Sequence, residues 1–329
     1  MASNLTIATP DDIDRLLSSN FLISQIVDLL AALITLISTF SAINLILTKS
    51  IFQWSTKILL FQNLCFANFF QISYSYEAMI LVLKNLEFRG DSNFLKTEAQ
   101  CAPIYKFMLF CTSGMIYGQT GLIIERLFSN FSKNFKSKKS IKYSLILLFF
   151  ILFFSGITGP LLLFDDPLDG AVLGCFMIPK ASARRSTVYF AVCTVLTLFN
   201  FCVALWLMRY NKKLEYSIRF KVGARFRKRQ QIDSTETICF LSVCLFVLMF
   251  IYSVGVSLLR NLRDYLILAD FYFWVVWLYT VPIFAMLLPL LLIYRIRCSH
   301  ASRVQNLIGI SHEKQSQDGH IKQIQKMWN

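Results

Sequence analysis

Polar and apolar positions along this chain fall into long blocks rather than short alternations. Seven apolar runs are long enough to cross a bilayer, near Phe21 to Leu47, Ile58 to Leu83, Tyr105 to Leu127, Ile141 to Phe164, Val188 to Met208, Ile238 to Leu258 and Phe271 to Tyr294. A hydrocarbon core of about 30 Å needs roughly 20 apolar residues as a helix, whereas a barrel strand needs only about 9–11 alternating ones. The run lengths therefore predict an all-α membrane protein, a bundle of seven transmembrane helices. The second run is the least apolar, because Asn63, Asn68, Gln71 and Glu77 interrupt it. It is counted because the remaining runs then alternate sensibly. On this reading residues 1–20 form a terminal segment, 21–294 the bundle, and 295–329 a tail with room for a short amphipathic helix.

Composition supports the same class. The chain is 56% hydrophobic and only 16% charged, against about 25% charged residues in a soluble domain. The net charge of +14 does not indicate nucleic acid, because the basic residues lie between apolar runs rather than on a polar domain. The first twenty residues are polar and include Asp11, Asp12 and Asp14. No cleavable signal peptide is expected there, so the first span serves as its own targeting signal.

The basic residues also predict an orientation. One set of loops, with the C-terminal tail, holds 22 Lys and Arg, and the opposite set holds 9. Cytoplasmic loops carry the excess, so the N-terminus is expected outside and the C-terminus inside. Asn4-Leu5-Thr6 then falls outside as a glycosylation candidate at Asn4, while Asn130-Phe131-Ser132 falls inside.

The third run carries the most chemistry. Cys101 opens it and Glu125-Arg126 closes it, and 25 residues separate Cys101 from Arg126. At roughly 1.5 Å per residue that is about 37 Å, a little more than the bilayer core. A thiol and a guanidinium thus mark opposite faces of the membrane. Gly114, Gly118 and Gly121 share a face of this helix. They read either as a close-packing surface for a neighbouring helix or as tolerated flexibility.

Of the nine cysteines, Cys101 and Cys175 are the two that fall on the outer side, where oxidation is possible. A bridge between them would pin the Asp165–Arg185 loop over the bundle mouth; the alternative is two free thiols. Cys65, Cys111, Cys193, Cys202, Cys239 and Cys244 lie in apolar runs and read as packing residues. Cys298 follows the last span among basic residues, where it reads as a palmitoylation candidate or a plain free thiol.

Arg126 has two readings. One is an arginine that stops a helix at the cytoplasmic face; the other is a switch held by Glu125 in one state and released in another. Asp233 and Glu236, at the start of the sixth run, are candidate second partners. The Arg209–Gln231 stretch has nine positive charges and one acid, too many for lipid. It reads as a loop attracted to anionic lipid, as helical extensions that dock a cytosolic partner, or as both. Pro282 and Pro289 interrupt hydrogen bonding in the last run, as a hinge or as ordinary prolines of a spanning helix. Asp28, Glu77 and Lys106 are ionisable groups at or near membrane depth, which marks interior or water-lined positions.

Catalytic patterns are missing. All three histidines, His300, His312 and His320, lie in the tail. The chain has no His-Glu-x-x-His, no phosphate-binding Gly-Lys loop and no Gly-x-Ser-x-Gly elbow. No enzyme, metal or cofactor is expected.

Seven spans with a cysteine at the head of the third and a closing Glu-Arg resemble the G-protein-coupled receptors. The stretches Ser55-Thr56-Lys57-Ile58-Leu59-Leu60-Phe61-Gln62-Asn63-Leu64 and Met115-Ile116-Tyr117-Gly118-Gln119-Thr120-Gly121-Leu122-Ile123-Ile124-Glu125-Arg126 resemble more closely the nematode serpentine receptors of class alpha, the Sra chemoreceptors. The likeness covers about Asp14 to Arg297. It implies a sensory receptor at the plasma membrane of chemosensory neurons, and their cilia, coupled to a heterotrimeric G protein. It implies that Cys101 and Cys175 form the outer disulfide and that Glu125 with Arg126 is the acid-arginine switch. The sixth run lacks Cys-Trp-x-Pro, and the seventh lacks Asn-Pro-x-x-Tyr, so the activation path of better-known receptors does not transfer in detail. The expected function is a switch driven by a small molecule bound in the outer half of the bundle. The alternative is a ligand-gated channel or transporter, disfavoured because the chain shows no internal repeat.

Overall fold

The computed structural model describes residues 10–49, 52–87, 95–131, 137–176, 178–179, 181–217, 222–262, 265–266 and 268–328. Among these residues there are nine helices and one two-stranded sheet. A short helix, α1 (Pro10–Leu17), precedes the first span, α2 (Ser19–Thr48). Then come α3 (Trp54–Glu87), β1 (Lys96–Thr97), α4 (Glu98–Phe131), α5 (Ser137–Leu162) and β2 (Ala171–Val172). The chain continues through α6 (Ala183–Ser217), α7 (Val222–Leu262), α8 (Leu268–Leu278) and α9 (Val281–Trp328). In lipid each backbone polar group must be satisfied within its own segment, which only a helix or a closed barrel achieves. Long helices are therefore what these apolar runs form.

Six of the spans are long and apolar enough to cross a membrane by composition alone. The seventh is α3, equally long but polar on its inner face. Ser55, Thr56, Gln62, Asn63, Gln71 and Glu77 are all buried, while Trp54, Phe69, Ile72, Met79, Leu83 and Leu86 are exposed. Ser55, Thr56, Gln71 and Glu77 hydrogen-bond to other elements inside the bundle while apolar side chains face outward, so average hydropathy understates this helix. The seven spans form one transmembrane bundle.

The bundle is built around α4, which has 72% of its most apolar window buried, against 28–44% in the other five apolar spans. Close approach explains this position. A Cβ at Gly114 would overlap the Phe66 ring, one at Gly118 would overlap the Asn63 amide, and one at Gly121 would meet Ile151. Removing side chains from one stripe of α4 thus lets α3 and α5 pack directly on its backbone.

The last span is two helices rather than one. The break falls at Tyr279 and Thr280, just before Pro282. Proline in a first turn lacks only an N–H that would have no partner there. Two side-chain bonds tie this point to neighbouring helices: Thr280 Oγ1 donates to the Leu248 carbonyl at 2.7 Å, and Gln71 Nε2 donates to the Pro282 carbonyl at 2.7 Å. Pro289 lies inside an unbroken stretch of α9. The same helix runs on to Trp328, so the tail continues the last span instead of forming a separate short helix.

Candidate functional site

α4 carries contacts at three levels, from the cysteine end to the arginine end. At the first level Cys101 is bonded to Cys175, 74 residues away. This ties the segment after α5 to the start of α4. The two short strands add to the tie, with Lys96 opposite Val172 and Thr97 opposite Ala171 in antiparallel register. The Glu98 N–H donates to the Gly170 carbonyl at 2.8 Å, and the Gly170 N–H donates to Glu98 Oε2 at 3.2 Å. Beneath them Glu77 of α3 is fully buried. It accepts from Lys96 Nζ at 3.0 Å and from the Cys175 N–H at 3.3 Å. A buried carboxylate is tolerated only when paired and hydrogen-bonded, and here the pairing anchors the crossing loop to the bundle.

Under that loop lies a cavity of about 340 Å³. From α4 it is lined by Tyr105, Met108, Leu109 and Thr112, and from the loop by Phe176 and Ile178. α6 contributes Phe190, α7 Tyr252 and Val256, α8 Val275, and the break in the last span Tyr279. Its aromatic rings touch in sequence: Phe190 and Tyr252 centroids are 4.8 Å apart, Tyr252 and Tyr279 5.6 Å, and Tyr279 and Tyr74 5.7 Å. A concave, mostly apolar space with a few polar groups is the usual form of a small-molecule site.

At the second level α4 is cross-linked to α6 and α7. Gln119 Nε2 donates to Ser242 Oγ at 2.6 Å and to the Ile238 carbonyl at 3.1 Å. Asn200 Nδ2 donates to Thr120 Oγ1 at 2.8 Å. Both groups sit between the cavity and the arginine in the chain order of α4, so the same helix passes from one to the other.

At the third level Arg126 is 2% exposed and Glu125 1%. The guanidinium meets its neighbour with two nitrogens, Nε donating to Glu125 Oε2 at 2.6 Å and Nη2 to Oε1 at 2.7 Å. The first turn of α3 closes over the pair. Ser55 Oγ donates to Glu125 Oε1 at 2.6 Å, Thr56 Oγ1 donates to Oε2 at 3.2 Å, and Arg126 Nη2 donates to Thr56 Oγ1. A helix N-terminus also favours a carboxylate through its dipole. From the other side Arg126 Nη1 donates to Ser234 Oγ of α7 at 3.1 Å. One buried ion pair therefore holds three helices together. Its charges are paid for by many hydrogen bonds, the condition under which buried pairs persist.

Asp233 and Glu236 do not take the role expected of them beside Arg126. Ser299 Oγ donates to Asp233 Oδ2 at 3.3 Å, and Arg295 pairs with Glu236 at 3.0 Å, so both acids face α9. Residues three apart share a helix face, and Ser234 is turned from Asp233 by about 100°. Only one of these faces can point at α4, and it is the one carrying serine. Ser55, Thr56 and Ser234 were the members that sequence reasoning missed. A short hydroxyl side chain gives no signal unless its burial is known.

The other expected positions are dispersed. Asp28 is half-buried and Lys106 exposed. Cys298 is an exposed free thiol on α9. Asn4 lies outside the described residues. Asn130 donates from Nδ2 to the Arg126 carbonyl at 2.9 Å. Among the described residues no cluster of His, Cys, Asp and Glu is arranged to hold a metal.

Seven spans, a crossing loop tied by a disulfide, and a buried acid-arginine pair joining three helices define a membrane receptor of the seven-transmembrane class. The chain belongs to the serpentine type 7TM GPCR chemoreceptor family Sra, which it matches over residues 2–328. It is 51% identical over 318 residues to serpentine receptor class alpha-9 of Caenorhabditis elegans, covering 96% of each chain. It is 45% identical to serpentine receptor class alpha-6 and 46% identical to class alpha-8 of the same organism, covering 99% of each chain in both cases.

Proposed function

We propose that this receptor binds a small chemical cue in the cavity beneath the disulfide-tied loop and signals to a heterotrimeric G protein at the arginine end. The observation that carries the reading is the clasp at Arg126, a guanidinium buried between α3 and α7. A cue shifts the bundle only if it binds the active arrangement more tightly than the resting one. In the active arrangement α7 leaves Ser234's contact with Arg126, and a cytosolic helix enters beside the freed guanidinium. The basic ends of α6 and α7 supply the docking surface for that partner and for anionic lipid.

This reading places the cysteine end and the N-terminus outside and the arginine end and C-terminus inside, in the plasma membrane of a chemosensory neuron, at its cilium. Asn4 is then open to glycosylation and Cys298 to lipidation. Epitope tags at the two chain ends test the orientation; both ends on one side would overturn it. The decisive experiment is cue-driven G-protein activation in a heterologous cell. Arg126→Ala expressed at the surface at normal levels is expected to lose it. Full cue-driven signalling in that variant would remove Arg126 from the mechanism. Cue-evoked current without G proteins would instead favour a channel.

A further inference from the structure

Among the described residues that line the cavity, two are arginines, Arg15 of α1 and Arg260 of α7, and none is an aspartate or a glutamate. Asp28 is not itself a lining residue but stands close to two that are, Tyr74 and Tyr279. Arg260 stands near the buried Tyr252 hydroxyl. The Arg15 guanidinium lies over the Phe21 ring at 5.7 Å. Gln25, 1% exposed, also lines the cavity, and its Oε1 accepts no hydrogen bond from the described protein.

We propose that the cavity takes a small organic acid. Its apolar or aromatic body lies against the Tyr74, Tyr252 and Tyr279 rings, and its carboxylate is held by Arg260. A hydroxyl on the body donates to Gln25 Oε1. A guanidinium presents a planar fork of donors that matches a carboxylate. The apolar and aromatic wall beside it lowers the local dielectric, so the attraction is stronger there than between charges in bulk water. An amine meets the like charge of Arg260 and, among the described residues, no acid in the lining. This inference rests on the cavity's being the cue site.

The test uses purified full-length receptor in lipid nanodiscs. The probes are 3-(4-hydroxyphenyl)propionate, its methyl ester and tyramine, which share one body and differ in charge. Other arylalkanoic and medium-chain alkanoic acids, each with its methyl ester, widen the set. Binding is read as a shift in thermal unfolding against ligand concentration. At least one acid is expected to bind about tenfold or more tightly than its ester, the size of one charge-assisted hydrogen bond. Arg260→Gln is expected to remove that preference and leave the ester's affinity unchanged; Arg260→Lys is expected to keep part of it. Arg260 is exposed at the end of α7, and the lysine variant reports on folding.

Equal binding of acid and ester, tightest binding by tyramine, or no binding by any acid at millimolar concentration would overturn the proposal. Acid binding that depends on Arg260 but drives no G-protein activation would keep the pocket chemistry and remove the signalling reading. Activation by a neutral or cationic cue, blocked by Val256→Trp, would keep the signalling reading and remove the acid.

Discussion

Arg126 and Ser234, 108 residues apart, meet at 3.1 Å and join α4 to α7. The bond is charge-assisted on one side only, which suits the restraint proposed for it, strong enough to hold a resting state and weak enough to release. Loss of a hydrogen bond to a charged group costs about 1.5–3 kcal/mol. Ser234→Ala is therefore expected to raise ligand-free nucleotide exchange on the G protein by about tenfold or more. Unchanged exchange, at equal surface expression, would argue that α7 is not held at this point.

The neighbouring ion pair makes a useful contrast. Glu236 and Arg295 are 43% and 20% exposed at the side chain, and such pairs contribute only about 0–1 kcal/mol. Glu236→Gln is expected to change ligand-free exchange and thermal stability far less than Ser234→Ala does. The same two assays check this, and an equal or larger effect would place the restraint on α9 instead.

Glu77 is fully buried beneath the crossing loop, and Lys96 is partly exposed. Removing one member of a buried pair strands the other, at about 3–5 kcal/mol. Lys96→Met is expected to lower stability by about 3 kcal/mol, the low end of that range, because the lysine end reaches solvent. Combining it with Glu77→Leu is expected to recover much of the loss. Additive losses in thermal unfolding of the double variant would show that the two residues act separately.

Gly118 and Gly156 test the packing stripe. A Cβ at Gly118 would overlap the Asn63 amide, whereas one at Gly156 has nothing within 4 Å. Overpacking a close contact costs about 1–3 kcal/mol, while Gly→Ala in an open helix position gains up to about 1 kcal/mol. Gly118→Ala is expected to destabilise the purified receptor and Gly156→Ala to leave it as stable or more so. Equal melting temperatures would mean that α3 shifts freely away from α4.

The disulfide closes a loop of 74 residues. Removing a native bridge typically costs about 2–5 kcal/mol. Cys101→Ser is expected to lower stability by that amount and to weaken cue binding, because Phe176 and Ile178 of the tied segment line the cavity. Cue binding of unchanged affinity in Cys101→Ser would separate the loop from the site.

The spans and their number were legible in the sequence because lipid imposes its demand locally. Each segment must be apolar over a fixed length and must satisfy its own backbone. The polar residues of α3 weakened that signal, since hydropathy averages around a helix and cannot see which face is inside. The glycine stripe and the Glu125-Arg126 pair could be read as features of α4 alone.

What those features touch was decided only by the folded bundle. The chain pattern around residue 233 offers two acids and a serine, and electrostatics by itself favours an acid beside Arg126. Tertiary packing turned the acids to α9 and brought Ser234 to the guanidinium, because a helix can show one face to α4 and another to α9. The same holds for the cavity, whose wall is drawn from helices far apart in sequence, and for Glu77, whose lysine lies on a strand 19 positions away. Periodicity sets which side chains share a face of one helix; only the relative rotation and depth of several helices set which faces meet.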